Sequence, residues 1–199
     1  MKKTKLLKFA VTLTLASLVQ AEVGVNIVAN AGAGRYLDSS SSTLADGSLL
    51  RFGAFDIASY NALSSSDKQN FALVDALFTE LGTVSASSGD FLSIGQNTYT
   101  LPTNGVNSGD RLYTWVFNNS VALSATEWGI FSSSNVQWTM PVDPNTNTLS
   151  TATIDNVIAG GTSGSSPTNY TLAAVPEPST YALIAGFLVF AWVAIRRRS

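Results

Sequence analysis

Cysteine and histidine are both absent from the 199 residues of this chain, and together the two absences remove a large part of enzyme chemistry. There is no serine–histidine triad, no cysteine nucleophile and no zinc site of the usual nitrogen and sulfur kind. No cofactor is expected. Disulfides are excluded too, so the fold has to be held by its apolar core. Positive charge is the next scarcity. Between residues 22 and 175 the cations are Arg35, Arg51, Lys68 and Arg111 against twelve carboxylates, a net charge of −8. Such a surface repels phosphate backbones, and nucleic acid is not an expected partner. Aromatic residues are what the chain does have, 10% of the total. They run from Tyr36 to Trp138 through a stretch long enough to bury a core, whereas disordered segments are poor in aromatics. One folded domain is expected over residues 22–159.

The first residues read as a processing signal rather than as structure. Lys2, Lys3, Lys5 and Lys8 precede an apolar run at residues 9–19, and Val19-Gln20-Ala21 offers small residues to a signal peptidase. Cleavage between Ala21 and Glu22 is expected, with residues 1–21 as signal peptide. As a membrane span the run is too short, since roughly 17 to 25 apolar residues are needed to cross a hydrocarbon core.

Downstream, "EVGVNIVA" alternates at Val23, Val25 and Ile27, the pattern of a strand with one buried face. The turn signal Asp46-Gly47 precedes a second strand beginning near Ser48. One amphipathic helix is expected in "SDKQNFALVDALFTELG", residues 66–82. Ser66 and Gln69 match a capping box, Phe71, Val74, Phe78 and Leu81 make the apolar stripe, and Gly82 stands where a left-handed cap belongs. Lys68, Asp75 and Glu80 are left for solvent. Beyond it, "FLSIG", "TYTL", "RLYTWVFN", "EWGIFSS", "VQWTM" and "TATIDNVIA" are short β-branched and aromatic runs between turn residues. The expected fold is therefore mainly β: an antiparallel β-sandwich or barrel-like domain with one amphipathic α-helix, plus a C-terminal transmembrane helix. The stretch "GGTSGSSPT" has the composition of a tether, and residues 160–174 read as a Gly, Ser and Thr-rich linker.

Carboxylate chemistry is what remains of the catalytic menu. Glu127 and any of several aspartates could form a glycosidase pair, although only their separation in space would show it. The commoner role of such acids is to keep a surface soluble. Ser65-Ser66-Asp67-Lys68 matches S-x-x-K formally, but lacks the partner motifs of that enzyme class and is explained by helix capping. Asp143, Asn145 and Asn147 have the spacing of a calcium loop, yet Thr148 and Ile154 occupy positions that need Gly and Glu, which leaves an ordinary turn. Trp115, Trp128 and Trp138 would stack on sugars if exposed, and alternation in strands places them in the core. No metal site and no catalytic residue is assigned.

The closing "VPEPSTYALIAGFLVFAWVAIRRRS" differs from everything before it. As a helix, residues 181–195 would be about 22 Å long at ~1.5 Å per residue, somewhat short of a hydrocarbon core of about 30 Å. Arg196, Arg197 and Arg198 supply a basic stop that stays cytoplasmic, which puts the domain on the far side of the inner membrane. Pro176 and Pro178 resist helix formation and keep the preceding peptide extended. The block Val175, Pro176, Glu177, Pro178, Ser179 and Thr180, then the apolar run, then the arginines, resembles the PEP-CTERM sorting domain of Gram-negative bacteria, whose start is commonly V-P-E-P-S-T. The resemblance covers residues 175–199. It implies recognition by an exosortase-type membrane enzyme, removal of the tail, and delivery to the cell surface or to an exopolysaccharide biofilm matrix. The leading expectation is an exported non-enzymatic surface or matrix protein in contact with exopolysaccharide. The alternatives are an exported carbohydrate-active enzyme using two acids in one cleft, and a carbohydrate-binding module using coplanar exposed indoles.

Overall fold

The alternation at Val23, Val25 and Ile27 does build a strand, β1 (Val23–Ala29), with those three side chains fully buried. In the computed structural model, residues 22–95, 97–164 and 166–175 are described, together with Phe187 and Arg196. β1 pairs antiparallel with β5 (Phe91–Ser93) and β6 (Thr98–Tyr99) and parallel with β9 (Thr146–Ser150). A larger sheet has the order β10 (Asn156–Ala159), β8 (Glu127–Ser132), β7 (Leu112–Phe117), β3 (Leu49–Phe55), β4 (Phe78–Ser85), with β13 (Ala173–Ala174) also paired to β8. All its pairings are antiparallel. A third sheet joins β11 (Gly161–Ser163), β12 (Asn169–Thr171) and β2 (Tyr36–Leu37). The described chain is mainly β, with few and short helices.

β7 explains how these layers share a core. Its sequence LYTWVF is buried at every position, which a strand achieves only when both faces are covered. Leu112 and Val116 join β1, Leu50, Phe52 and Phe131 in one apolar cluster, while Tyr113, Trp115 and Phe117 join Phe55, Val74, Trp128 and Ile130 in a second. The larger sheet is thus packed on one face by the β1 sheet and on the other by the helical turns. Thr114 on β7 shares a 2.8 Å hydrogen bond between its hydroxyl and the Tyr36 hydroxyl in the buried interior.

Two expectations are corrected. The helix expected over residues 66–82 ends early: a 3-10 turn at Asp67–Gln69 leads into α2 (Phe71–Asp75), and the chain then enters β4 at Phe78. The supposed stripe is split between two kinds of element. Phe71 and Val74 come from α2, whereas Phe78 and Leu81 come from the strand, because seven register pairs with β3 engage that backbone more completely than a lone surface helix would. Ser66 makes no side-chain cap bond. Ser64 Oγ receives the Asp67 N–H instead, at 3.1 Å, and Asn70 Oδ1 caps α2 by accepting from Ala72 and Leu73. Gly82 is not a helix cap either. A Cβ there would come within 2.8 Å of the Phe52 ring, so its bare backbone makes room for a core aromatic. A further helix, α1 (Ile57–Ala62), starts at Asp56, whose carboxylate accepts the Ser59 N–H.

The second correction is the expected linker. Residues 160–174 contain β11, β12 and β13, and Tyr170 and Leu172 are almost completely buried. Tyr170 packs its ring 5.6 Å from Phe131, and its hydroxyl donates to Ile154 O at 3.0 Å. Alternating Tyr170 and Leu172 gain enough burial to override the Gly and Ser composition just upstream. As for the transmembrane helix, no helix among the described residues is long and apolar enough to cross a membrane. Phe187 and Arg196 are helical, and the rest of that expected span lies outside the described residues.

Candidate functional site

The root of the closing segment is built by the larger sheet. Ala173 and Ala174 pair with Trp128 and Glu127 of β8, and the Val175 N–H donates to Thr126 O at 2.8 Å. The Val175 side chain packs against the second apolar cluster, as do Ala122 and Ala125. The approach to this root is tied down equally well. Tyr170 N donates to Arg35 O at 2.8 Å, Leu172 N to Leu37 O at 2.9 Å, and Arg35 N to Asn169 Oδ1 at 2.8 Å. The chain is consequently held in register up to Val175, the first of the six expected sorting residues. Pro176, Glu177, Pro178, Ser179 and Thr180 lie outside the described residues, as do Arg197 and Arg198 of the basic stop. Arg196 is helical and exposed. Ala21 also lies outside them, and Glu22 is exposed immediately before β1.

Carboxylates near the root are engaged by hydroxyl and amide donors. Glu127, opposite Ala174, accepts from Ser39 N at 2.9 Å and Ser39 Oγ at 2.6 Å. The neighbouring Asp38 accepts from Ser40 Oγ, Ser40 N and Ser42 N. The Ser40 hydroxyl bond and the Ser42 amide bond hold its carboxyl below the usual carboxylate range. The structure places Glu127 as a tie between the Ser39 turn and the start of β8.

Other candidates resolve in the same way. Trp115, Trp128 and Trp138 are 0%, 3% and 1% exposed, so none of the three can stack on a sugar. Trp138 Nε1 donates to Thr153 Oγ1 at 2.9 Å. Lys68 Nζ lies 5.1 Å over the Tyr60 ring, and Ser64 and Ser66 bond to one another while Ser64 Oγ also donates to Asp67. Asn145 N donates to Val142 O across the turn at Asp143 and Pro144, as an ordinary turn requires. A groove of about 610 Å³ lies between Gln137, Thr139, Pro141, Val142 and Thr146, with no charged side chain in its lining. Two of the amides in its lining are bonded to the backbone: Gln137 Oε1 accepts from Thr148 N, and Asn147 Nδ2 donates to Val136 O and Thr139 O. Among the described residues there is no group of three His, Cys, Asp or Glu residues placed to hold a metal ion.

Sequence reasoning missed the Arg51 knot and the β13 pairing. Arg51 Nη1 donates to Asp75 and Nε to Glu80, both at 2.5 Å, with the guanidinium over the Phe78 and Trp115 rings at 5.1 and 5.2 Å. A helix over residues 66–82 would leave both acids to solvent. The knot is illegible in the sequence because the β4 register is. For β13 a signal does exist in "NYTLAAV", where Tyr170, Leu172 and Ala174 alternate as in a strand.

Comparison with known proteins bears on the root and on the segment beyond it. The PEP-CTERM protein-sorting motif matches residues 174–198. The match begins on Ala174, inside β13, and the chain carries this sorting motif. No curated protein and no solved structure matches the chain. The motif marks an exported protein that passes through the membrane and is recognised there by an exosortase, a membrane enzyme.

Proposed function

We propose that this chain is an exported, non-enzymatic protein of the cell surface or exopolysaccharide matrix. On this reading its β-rich domain is the cargo and the segment after Val175 is an address removed by the exosortase. The observation that carries it is the sorting motif at residues 174–198, rooted directly on an ordered strand of the domain. Proline at 176 and 178 disfavours helix at the residue before each, a preference that suits a linear peptide read by a processing enzyme. Non-enzymatic display is supported by the bonding of the acids: Glu127, Asp38, Asp75 and Glu80 are all engaged in ties that hold the fold. Uncharged hydroxyl and amide side chains fit a protein that lives among hydrated polysaccharide.

The test separates an address from a permanent anchor. Changing Pro176, Glu177 and Pro178 to alanine leaves the apolar run and the arginines in place. In a host with the matching exosortase, wild-type protein extracted from the surface should have the intact mass of a chain lacking Arg196, Arg197 and Arg198. The triple variant should accumulate as full-length precursor in the inner membrane. Mature wild-type protein that retains the three arginines would overturn the reading in favour of an anchor.

A further inference from the structure

We propose that the loop between β7 and β8, through the side chains of Val121 and Leu123, rests on the lipid surface of the bilayer that holds the sorting segment before processing. The inference rests on the reading of the tail as a membrane-inserted segment. It adds a face of the folded domain that meets the same membrane.

The argument starts from where the chain leaves the body. Val175 is hydrogen-bonded to Thr126, the residue just before β8, so the exit and the loop at residues 118–126 are immediate neighbours. Pro176, Glu177, Pro178, Ser179 and Thr180 separate Val175 from the apolar run at Tyr181. At ~3.3–3.6 Å per residue these span about 18 Å when fully extended. That is about the length of β7 itself, at ~3.4 Å per residue. The chain leaves β13 at the rim that carries Thr126, and so short a tether favours that rim facing the bilayer with the opposite end of β7 pointing away.

The loop on that rim is built to present apolar side chains outward. Asn118 Nδ2 donates to Thr126 Oγ1 at 2.9 Å, and Asn118 Oδ1 accepts from Thr126 N and Glu127 N. Asn119 Oδ1 accepts from Val121 N at 2.9 Å. Ala122 and Ala125 pack inward on the cluster that also receives Val175, while Val121 and Leu123 point out, 55% and 76% exposed. Residues 118–126 contain no charge. The next charged group, Glu127, has its carboxylate turned to Ser39. Isolated exposed aliphatics are ordinary on protein surfaces. Two of them on an ordered, uncharged loop beside a membrane exit are placed to partition into the lipid interface, where their burial is favourable. Contact there would hold the sorting motif at a set height and orientation for the membrane enzyme that reads it.

The absence of native cysteine makes the test direct. The chain is reconstituted in phosphatidylethanolamine and phosphatidylglycerol vesicles with one environment-sensitive dye on Leu123→Cys, Val136→Cys or Leu188→Cys. Val136 is 70% exposed and stands by the start of β7, where Arg111 bridges Thr139, so it is an equally exposed control at the far end. A blue-shifted Leu123 label quenched by a nitroxide lipid, with an unquenched Val136 label, is the expected result. A Leu123 label that behaves like the one at Val136 while the Leu188 label is quenched overturns the proposal, because the domain then stands clear of the bilayer. If the Leu188 label is unquenched as well, the tail is outside the bilayer and the membrane reading of the segment fails first. Shielding of Leu123 that appears only on adding the exosortase assigns the loop to the enzyme and likewise overturns a lipid contact.

Discussion

Asp38, Asp56 and Asp155 each accept hydrogen bonds from a serine hydroxyl and from a backbone amide. The Ser40, Ser59 and Ser134 hydroxyls, together with nearby backbone amides, favour the ionised carboxylates and hold all three below the ordinary value of 3.8. Tyrosines go the other way. Burial pushes the Tyr99 hydroxyl up to about 12 and raises Tyr36 further. A carboxyl with a lowered folded pKa adds stability that is complete above its unfolded value and disappears as pH falls through the folded one. A tyrosine with a raised folded pKa adds stability that is complete below its unfolded value of 10.0 and disappears as pH rises towards about 12. The chain has no histidine or cysteine, the side-chain types whose ordinary values lie between those windows. The urea midpoint is therefore expected to stay flat from about pH 5 to pH 9.5 and to fall on either side. Replacing Asp56 and Asp155 by Asn should flatten the acid slope. A step in the midpoint between pH 6 and pH 8 would contradict this account.

At the scale of the element, the contest over residues 66–82 is between a helix stripe and a strand register. Spacing of apolar residues at three and four favours the helix locally. β4 prevails because it lies against β3, whose Leu50, Phe52 and Phe55 are buried, and because Arg51 on β3 binds Glu80 at 2.5 Å from the strand conformation. The two arrangements assign the N-cap to different residues. Asn70→Ala should cost about 1 kcal/mol, the usual loss for a capping side chain, whereas Ser66→Ala should be neutral because Ser66 makes no cap bond. Chemical denaturation of the two variants measures the difference. The reverse order of sensitivities would restore a helix beginning at Ser66.

At the scale of the molecule, the main consequence is where the domain stops. Composition alone puts its end at residue 159, before a tether, but β11, β12 and β13 belong to the body and the Tyr170 ring packs against both Phe131 and Tyr36. Loss of one large core aromatic costs about 3–5 kcal/mol, and a domain of this kind is stable by only about 5–15 kcal/mol. A chain ending at residue 160 also loses Leu172 and the β13 pairing, so it should show no cooperative thermal transition. A chain ending at Val175 should melt cooperatively, with a midpoint close to that of the processed protein. Differential scanning calorimetry of the two distinguishes them, and equal midpoints would return residues 160–174 to the role of linker.

From sequence alone the chemical limits were determined, since missing residue types exclude chemistry whatever the fold. Strand character at Val23–Ala29 and Leu49–Phe55 was equally legible, because strict alternation is a local signal. The sorting block was legible because a processing enzyme reads a linear peptide. Tertiary structure alone decided that residues 78–85 form a strand, that Arg51 gathers Asp75 and Glu80, and that Val175 is fastened to Thr126 beside an exposed aliphatic loop. Those outcomes depend on partners distant in sequence. A backbone with two nearly equal local preferences takes the one whose hydrogen bonds and apolar burial are completed by strands elsewhere in the chain.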